Sequence, residues 1–157
     1  MSKINVRPYI KTDKDMVLSM INELQEQQRK LDKDLAHGKI IKDEYLKNLL
    51  KLTKDDNGAF YILEVDLEIA GFAVCFIEKE KIVSKIKRYG LLADMFILKQ
   101  FRGLGLSKKL DKARIQFFKS KKIKYVKRHI LAKNQLMHQI ALNRGFKEYE
   151  ITLVKKI

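Results

Sequence analysis

The sequence is poor in the residues that build disulfides, metal centres and membrane spans. Cys75 is the only cysteine and lies in an apolar run, so an internal disulfide is excluded and a buried, unreactive thiol is expected. Neither the three histidines nor Cys75 stand at ligand spacing, so we expect no metal site. No apolar run approaches the roughly 18 residues of a membrane span, and none follows the first eight residues as a secretory signal would. These absences predict a cytoplasmic protein with no membrane partner.

Proline is as rare as cysteine. Pro8 is the only proline, and no Ser/Gly-rich linker, internal repeat or low-complexity tract interrupts the chain. At 157 residues, 46% of them hydrophobic, the chain is long enough to bury one core. We therefore expect a single domain spanning residues 1–157.

Acidic residues are scarce in the second half of the chain. Residues 1–80 carry 13 basic and 15 acidic side chains, whereas residues 81–157 carry 21 basic and only 4 acidic ones, within a net charge of +15. Such a basic half predicts an anionic partner, either a phosphate-bearing ligand or RNA. Because 27 of the 34 basic residues are lysine, whereas nucleic-acid readers favour arginine with interleaved aromatics, the composition argues against specific nucleic-acid binding.

The most informative stretch is an apolar run at residues 89–98 that leads through a short glycine loop into an amphipathic segment at residues 105–119. This is the pattern of a strand, a turn and a helix N-terminus, where unpaired amides and the helix dipole attract phosphate. Gly103 and Gly105 let the backbone curl around an anion, and Lys109 adds charge nearby. The sequence therefore predicts a diphosphate site on residues 102–108.

Hydrophobic periodicity and turn residues predict ten elements along the chain. The first part reads as a strand followed by two helices, and the middle as three consecutive strands. The last part alternates helix and strand, which gives the order β-α-α-β-β-β-α-β-α-β and a mixed α/β sheet. The predicted strands cover residues 4–10, 59–65, 69–78, 89–98, 125–132 and 146–156, and the helices 13–37, 42–53, 105–119 and 134–144.

The glycine loop resembles that of a known family. Gln100-Phe101-Arg102-Gly103-Leu104-Gly105 matches the Q/R-x-x-G-x-G/A loop with which N-acetyltransferases of the GNAT superfamily hold the pyrophosphate of acetyl-coenzyme A. The element order agrees with the GNAT fold over nearly the whole chain. The resemblance implies a slot for acetyl-coenzyme A between splayed fourth and fifth strands, with a backbone amide in residues 95–97 meeting the thioester carbonyl. The cofactor contacts it implies are Met95, Phe96, Ile97, Gln100, Arg102, Gly103, Leu104, Gly105, Leu106, Ser107, Lys108 and Asn134.

A second segment, residues 134–146, resembles the GNAT pattern N-x-x-A-x-x-L-Y-x-x-x-G-F. In the family the asparagine, here Asn134, contacts the pantetheine arm, and the tyrosine protonates the departing thiolate. Ala141 occupies the tyrosine position, which is the main departure from the pattern. A general acid typically contributes about 10²–10⁴-fold, so its loss should slow the reaction without abolishing it. His138, one helical turn earlier, and Tyr149 are the candidates to replace it.

Asp94 is the candidate general base. It is the only acidic residue between Glu80 and Asp111, and it lies in an apolar strand, where a carboxylate has to be hydrogen-bonded, paired or functional. Asp94 also matches the aspartate of the E-D-[LF]-[YF]-V segment in diamine- and polyamine-type members, although Ala93 replaces the preceding glutamate. The alternative is a structural ion pair with a basic residue on a neighbouring strand, namely Arg88, Lys124 or Arg128.

These features predict an N-acetyltransferase that moves an acetyl group from acetyl-coenzyme A to a primary amine, either a small amine or a polyamine. Direct attack would occur in a ternary complex, with Asp94 as the base and water as a relay. Two alternatives stay open. A catalytically degenerate protein that binds coenzyme A or RNA is favoured by Ala141, and a protein N-acetyltransferase differs only in its acceptor. The resemblance also leaves a homodimer open.

Overall fold

The computed structural model describes all 157 residues and contains five β-strands and four α-helices. The strands are β1 (Ile4–Pro8), β2 (Gly58–Val65), β3 (Glu68–Lys79), β4 (Arg88–Ile97) and β5 (Val126–Lys127). The helices are α1 (Lys14–Arg29), α2 (Gly38–Leu52), α3 (Leu106–Ser120) and α4 (Gln135–Asn143). Short 3₁₀ turns occur at Lys11–Asp13 and Lys99–Phe101.

The five strands form one mixed sheet in the order β1-β2-β3-β4-β5. Neighbours from β1 to β4 pair antiparallel, whereas β5 pairs parallel with β4. Asp66 and Leu67 make the reversal between β2 and β3 with φ angles of 50° and 71°, the positive values that a type I′ turn requires. The parallel pairing of β5 is possible because α3 carries the chain back across the sheet. This is the predicted α/β architecture, an antiparallel meander followed by βα units.

Helices cover both faces of the sheet. On one face Ile21 of α1 and Leu46 of α2 join a buried cluster with Phe72 of β3. On the other face α3 packs through Leu110 and Phe118, which belong to two smaller buried clusters. The N-terminus of α3 therefore lies at the end of β4. None of the helices combines the length and the apolar character needed to cross a membrane.

The first helix is shorter than its apolar stripe predicts, because the chain folds back after Arg29. The carboxylate of Glu26 in α1 accepts a hydrogen bond from the amide of Gly38 at 2.8 Å, and this contact starts α2 at Gly38 rather than at residue 42. A Cβ at this glycine would lie 2.6 Å from the carbonyl oxygen of Asn22, so the close approach of the two helices requires glycine. The segment 30–37 consequently forms turns instead of continuing α1.

The last two predicted strands differ most from the structure. β5 contains two residues rather than the range 125–132, and the closing strand over residues 146–156 is not formed. Side chains from Tyr149 onward are exposed, including Leu153 at 90% and Val154 at 98%. A strand owes its stability largely to side-chain packing on its neighbours. The alternating pattern of this segment has no such surface to cover, so periodicity alone does not produce a strand there.

Candidate functional site

A β-bulge in β4 organises the candidate site. Ala93 and Asp94 of β4 both lie opposite Val74, a single residue of β3. An extra residue of this kind leaves local hydrogen-bonding groups unpaired and shifts the alternation of side chains and amides beyond it. Bulges are common beside active sites because they redirect side chains.

The bulge directs the amides of the second half of β4 toward β5. The Gly90 amide donates to a carbonyl on the β5 side at 2.9 Å, whereas the Leu98 amide donates to a carbonyl of β3 at 2.9 Å. Because amides alternate in direction along a regular strand, two amides eight residues apart would point to the same side. The extra residue of the bulge explains why the Gly90 and Leu98 amides point to opposite sides. By the same alternation the amides of Met95 and Ile97 point toward the β5 side.

β4 and β5 diverge next to these amides. Their ladder contains two residue pairs, of which the last joins Leu91 to Lys127. The next residue, Arg128, turns toward α3, where its guanidinium pairs with the carboxylate of Asp111 at 3.1 Å. The edge of β4 at residues 95–97 is therefore left without a paired strand, which creates the opening between β4 and β5 that the family resemblance implies.

Asp94 lies on the sheet face that α1 and α2 cover. The Tyr45 hydroxyl of α2 donates to Oδ2 of Asp94 at 2.5 Å. Burial raises the pKa of Asp94, and this effect exceeds the opposing effects of the Tyr45 hydrogen bond and the Arg114 charge. Burial and the Asp94 carboxylate likewise raise the pKa of Tyr45. The predicted ion-pair alternative is not formed, since Asp94 takes part in no salt bridge and its partner is a hydroxyl.

The glycine loop lies between β4 and α3. Gly103 and Gly105 adopt φ angles of 81° and 70°, in the left-handed region that glycine favours. Gly105 is the N-cap residue of α3 and provides no side chain to cap the first amides, which suits them to a phosphate. The Arg102 side chain folds back, because its Nε donates to the carbonyl of Ile97 at 2.8 Å.

The other predicted cofactor contacts include both buried and exposed residues. Phe96 and Leu106 are only 3% and 2% exposed, so their side chains belong to the core and only their backbone can face a ligand. Gln100, Leu104 and Lys108 are exposed, and Lys108 lies in the first turn of α3. Its positive charge there can therefore reach an anion bound at the helix N-terminus.

A cluster of charges that the sequence analysis did not find joins α3 to the end of α4. Asp111 is ion-paired with three arginines, Arg114 at 2.5 Å, Arg128 at 3.1 Å and Arg144 at 2.5 Å. Arg144 also donates to the hydroxyl of Ser107 in the first turn of α3, at 3.0 Å. One feature of the sequence points to this cluster, namely the i, i+3 spacing of Asp111 and Arg114 on the apolar side of α3.

The α4 residues that the sequence singles out make contacts within the last part of the chain. Asn134 is the N-cap of α4, and its Oδ1 accepts the Met137 amide at 3.2 Å. The ring Nε2 of His138 lies 3.0 Å from a carboxylate oxygen of Glu148, so the structure does not bring it together with Asp94. Ala141, at the position of the family tyrosine, is 3% exposed, so a larger side chain there would have to displace its neighbours.

Comparison with known proteins decides the family. A model of the acetyltransferase (GNAT) family matches residues 18–146. The chain belongs to this family. The GNAT resemblance and the acyltransferase class predicted from the sequence are thereby confirmed. Comparison by sequence with curated proteins gives no significant match.

Solved structures of GNAT proteins share this fold. An aminoglycoside N-acetyltransferase in complex with coenzyme A superposes with a TM-score of 0.74 at 19% identity, over 100% of this chain and 96% of that one. Glucosamine-6-phosphate N-acetyltransferase from Arabidopsis thaliana gives 0.68 at 18% identity, over 98% of both chains. A predicted acetyltransferase from Clostridium acetobutylicum, solved with acetyl-coenzyme A, gives 0.75 at 16% identity, over 98% of this chain and 96% of that one. At these identities the likeness confirms the predicted fold and leaves the substrate open.

Proposed function

We propose that this protein transfers the acetyl group of acetyl-coenzyme A to a primary amine, with a small amine or a polyamine as the acceptor. The observation that carries the proposal is the β4 bulge, which brings the Asp94 carboxyl group and the amides of Met95 and Ile97 into one short segment beside the opening to β5. Membership of the GNAT family supports the reaction class. The coenzyme A and acetyl-coenzyme A in the similar structures support the donor.

The donor would be held at two points. Its pyrophosphate would sit on the first amides of α3, where Gly103 and Gly105 open the backbone and Lys108 adds positive charge. Its pantetheine arm would enter the opening between β4 and β5, and the side-chain amide of Asn134 is a candidate donor to it. The thioester carbonyl would accept a hydrogen bond from Met95 or Ile97, whose amides point toward this opening. A fixed donor at that oxygen stabilises the negative charge that develops during attack.

Asp94 would accept the proton that the amine loses. An alkylamine with a pKa of about 10 costs about 4–5 kcal/mol to deprotonate at pH 7, so a nearby base contributes directly to the rate. Burial raises the pKa of Asp94, which makes it a stronger base than an exposed aspartate, while the Tyr45 hydroxyl fixes its orientation. The amine nitrogen then bonds to the thioester carbon, the carbon–sulfur bond breaks, and the electron pair leaves with the sulfur.

The leaving thiolate lacks the tyrosine that the family pattern places at residue 141. Ala141 is buried, Nε2 of His138 lies 3.0 Å from a carboxylate oxygen of Glu148, and Tyr149 is exposed. A thiol with a pKa near 8.5 leaves as the thiolate at a cost of about 2 kcal/mol at pH 7. We therefore expect a slower enzyme than relatives that retain the tyrosine, with the thiolate taking its proton from water.

Exposed charges of both signs lie on the first two helices. Glu23, Asp43 and Glu44 are exposed on α1 and α2, the helices that cover the Asp94 face of the sheet. Lys47 and Lys51 are exposed on α2 as well, so these carboxylates offer single contacts to a cationic amine without making the face acidic as a whole. The similar structures include an aminoglycoside N-acetyltransferase and a glucosamine-6-phosphate N-acetyltransferase, which shows that the fold accommodates amines of different kinds.

The test is acetyl transfer to a panel of amines, followed as thiol release and as the mass of the acetylated product. The panel contains putrescine, spermidine, neamine, glucosamine 6-phosphate and a lysine-bearing peptide. Asp94→Asn should lose about 10²–10⁴-fold in rate, as expected for removal of a general base. The matched control is Asp55→Asn, at an exposed turn residue whose φ angle of 53° asparagine also tolerates.

Each outcome of this assay is informative. Transfer to a small amine that depends on Asp94 supports the proposal, whereas transfer to the peptide alone identifies a protein N-acetyltransferase. Acetyl-coenzyme A binding without transfer to any acceptor would favour the degenerate binding protein. If Asp94→Asn retains the full rate, the assignment of the base is wrong.

A further inference from the structure

Arg114 is a fully buried arginine in the middle of α3. It is one of only two charged residues in the buried class, with 1% of its surface exposed. Burial of a guanidinium is costly unless its charge is paired and its donors are used. Its charge is compensated by Asp111, one helical turn earlier, whose Oδ1 lies 2.5 Å from Nη2. Its Nη1 points into the sheet.

The Nη1 donor of Arg114 reaches the β4 bulge. It lies 3.1 Å from the carbonyl oxygen of Val74, 3.3 Å from that of Ala93 and 3.4 Å from that of Asp94. These are the two bulged residues of β4 and the residue of β3 opposite them. A bulge leaves ladder groups without their usual partners, so this guanidinium supplies donors where the sheet does not.

The bulge has two consequences for the candidate site. It sets Asp94 on the face covered by α2, where the Tyr45 hydroxyl bonds it, and it directs the amides of Met95 and Ile97 toward β5. A shift of one residue in a strand exchanges both its side-chain faces and the direction of its amides. Loss of the bulge would therefore misdirect the proposed base and the proposed thioester donors together.

The carboxylate that pairs with Arg114 also holds the other wall of the opening. Asp111 accepts from Arg128, the residue at which β5 leaves β4, and from Arg144 at the end of α4. Arg144 in turn donates to Ser107 beside the glycine loop. One carboxylate thus links the bulge, the splayed strand and the first turn of α3.

We propose that Arg114 is a positioning residue that fixes the β4 bulge, while its partner Asp111 separately links Arg128 of the splayed strand to α3. Its effect on catalysis rests on the proposed acetyl transfer, whereas its effect on the bulge does not. Arg114 acts only through the backbone of β4, because its guanidinium is enclosed between α3 and the sheet.

The test compares Arg114→Met and Arg114→Lys with Lys112→Met, which removes a charge from the exposed side of the same helix. Arg114→Met preserves most of the volume, and Asp111 keeps Arg128 and Arg144 as partners, so the protein should fold. The first readout is amide hydrogen exchange of peptides covering residues 91–98. The second is kcat with the amine that the unmodified protein acetylates fastest, together with the Kd of acetyl-coenzyme A from calorimetry.

We expect amide exchange across residues 91–98 to be at least tenfold faster in Arg114→Met, intermediate in Arg114→Lys and unchanged in Lys112→Met. We expect kcat to fall at least tenfold in Arg114→Met, while the Kd of acetyl-coenzyme A changes less than threefold because the glycine loop is untouched. Lysine keeps a hydrogen-bond donor that methionine lacks. A kcat of Arg114→Lys between those of Arg114→Met and the unmodified protein would therefore show that Arg114 acts as a donor and does not merely fill space.

Unchanged exchange in Arg114→Met would overturn the proposal, and so would an equal effect of Lys112→Met. If Arg114→Met fails to fold, amide exchange of Arg114→Lys across residues 91–98 tests the proposal instead, and unchanged exchange there would overturn it. If the unmodified protein acetylates none of the amines, the exchange measurement still decides the role of Arg114, and the proposed function alone is refuted.

Discussion

Replacement of Gly103 by glutamate should weaken acetyl-coenzyme A binding through charge, and replacement by glutamine provides the matched control. Gly103 adopts a φ angle of 81°, and a Cβ there would meet nothing within 4 Å. Both substitutions therefore fit the available space, and both carry the same backbone strain of about 1–2 kcal/mol for a left-handed L-residue. The two variants should be equally destabilised and should differ only in the charge that they place beside the pyrophosphate.

The expected size of the charge effect follows from Coulomb's law. At about 6 Å, with an effective dielectric constant between roughly 20 and 80, one like charge costs about 1–3 kcal/mol. This corresponds to an increase of roughly 5- to 150-fold in the Kd of the glutamate variant relative to the glutamine variant. Screening should shrink the difference in 1 M salt, where the Debye length falls to about 3 Å.

Isothermal titration calorimetry of both variants, at about 0.1 M and 1 M salt, measures this difference. The thermal midpoints of the two free proteins should agree, which would show that the strain is shared. Equal Kd values for the two variants at low salt would refute the assignment of the glycine loop to the pyrophosphate. A difference that persists unchanged at 1 M salt would contradict the expected charge effect, because the two side chains have nearly the same shape and screening should reduce a Coulomb term.

Three further predictions concern the base, the packing of α3 and the missing tyrosine. Tyr45→Phe removes a hydrogen-bond donor that stabilises the ionised form of Asp94, so the pKa of Asp94 should rise further. The acid limb of the kcat/KM profile should then move to higher pH, and an unchanged limb or one at lower pH would contradict Asp94 as the base. Gly90→Ala would put a Cβ 2.6 Å from the ring of Phe118. This overpacking should lower the free energy of unfolding, measured in urea, by about 1–3 kcal/mol, and adding Phe118→Leu should recover part of the loss. Ala141→Tyr should lower the thermal midpoint rather than raise the rate, because Ala141 is buried; a faster enzyme of unchanged stability would show that the site does admit the hydroxyl.

Local chemistry explains why the geometry of the glycine loop can be predicted from the sequence. The Gly103 and Gly105 loop combines an apolar strand, two residues suited to positive φ and a helix start, all within one short segment. The bulge at Ala93 and Asp94 has no comparable signal, because its two residues also fit a regular strand. Its existence depends on a donor from α3, which lies 20 or more residues away along the chain.

The closing strand and the end of the first helix are predicted wrongly because both depend on contacts with distant parts of the chain. Periodicity predicts which face of a segment is apolar, but it does not show whether another surface is available to cover that face. The closing strand over residues 146–156 fails for this reason, since every side chain after Phe146 remains exposed. The first helix ends early because tertiary contacts of Glu26 with Gly38 override the helical stripe that continues beyond Arg29.

The most direct test of the central claim is the thermal shift that acetyl-coenzyme A produces at physiological salt, with ATP as the anion control. A ligand at 100 times its Kd adds about 2.7 kcal/mol of stability. At about 2–4 °C per kcal/mol for a chain of this size, the account predicts a rise of roughly 5–11 °C with acetyl-coenzyme A and a much smaller one with ATP. No rise, or an equal rise with both ligands, would contradict a specific acetyl-coenzyme A site and reduce the basic half of the chain to a general anion-binding surface.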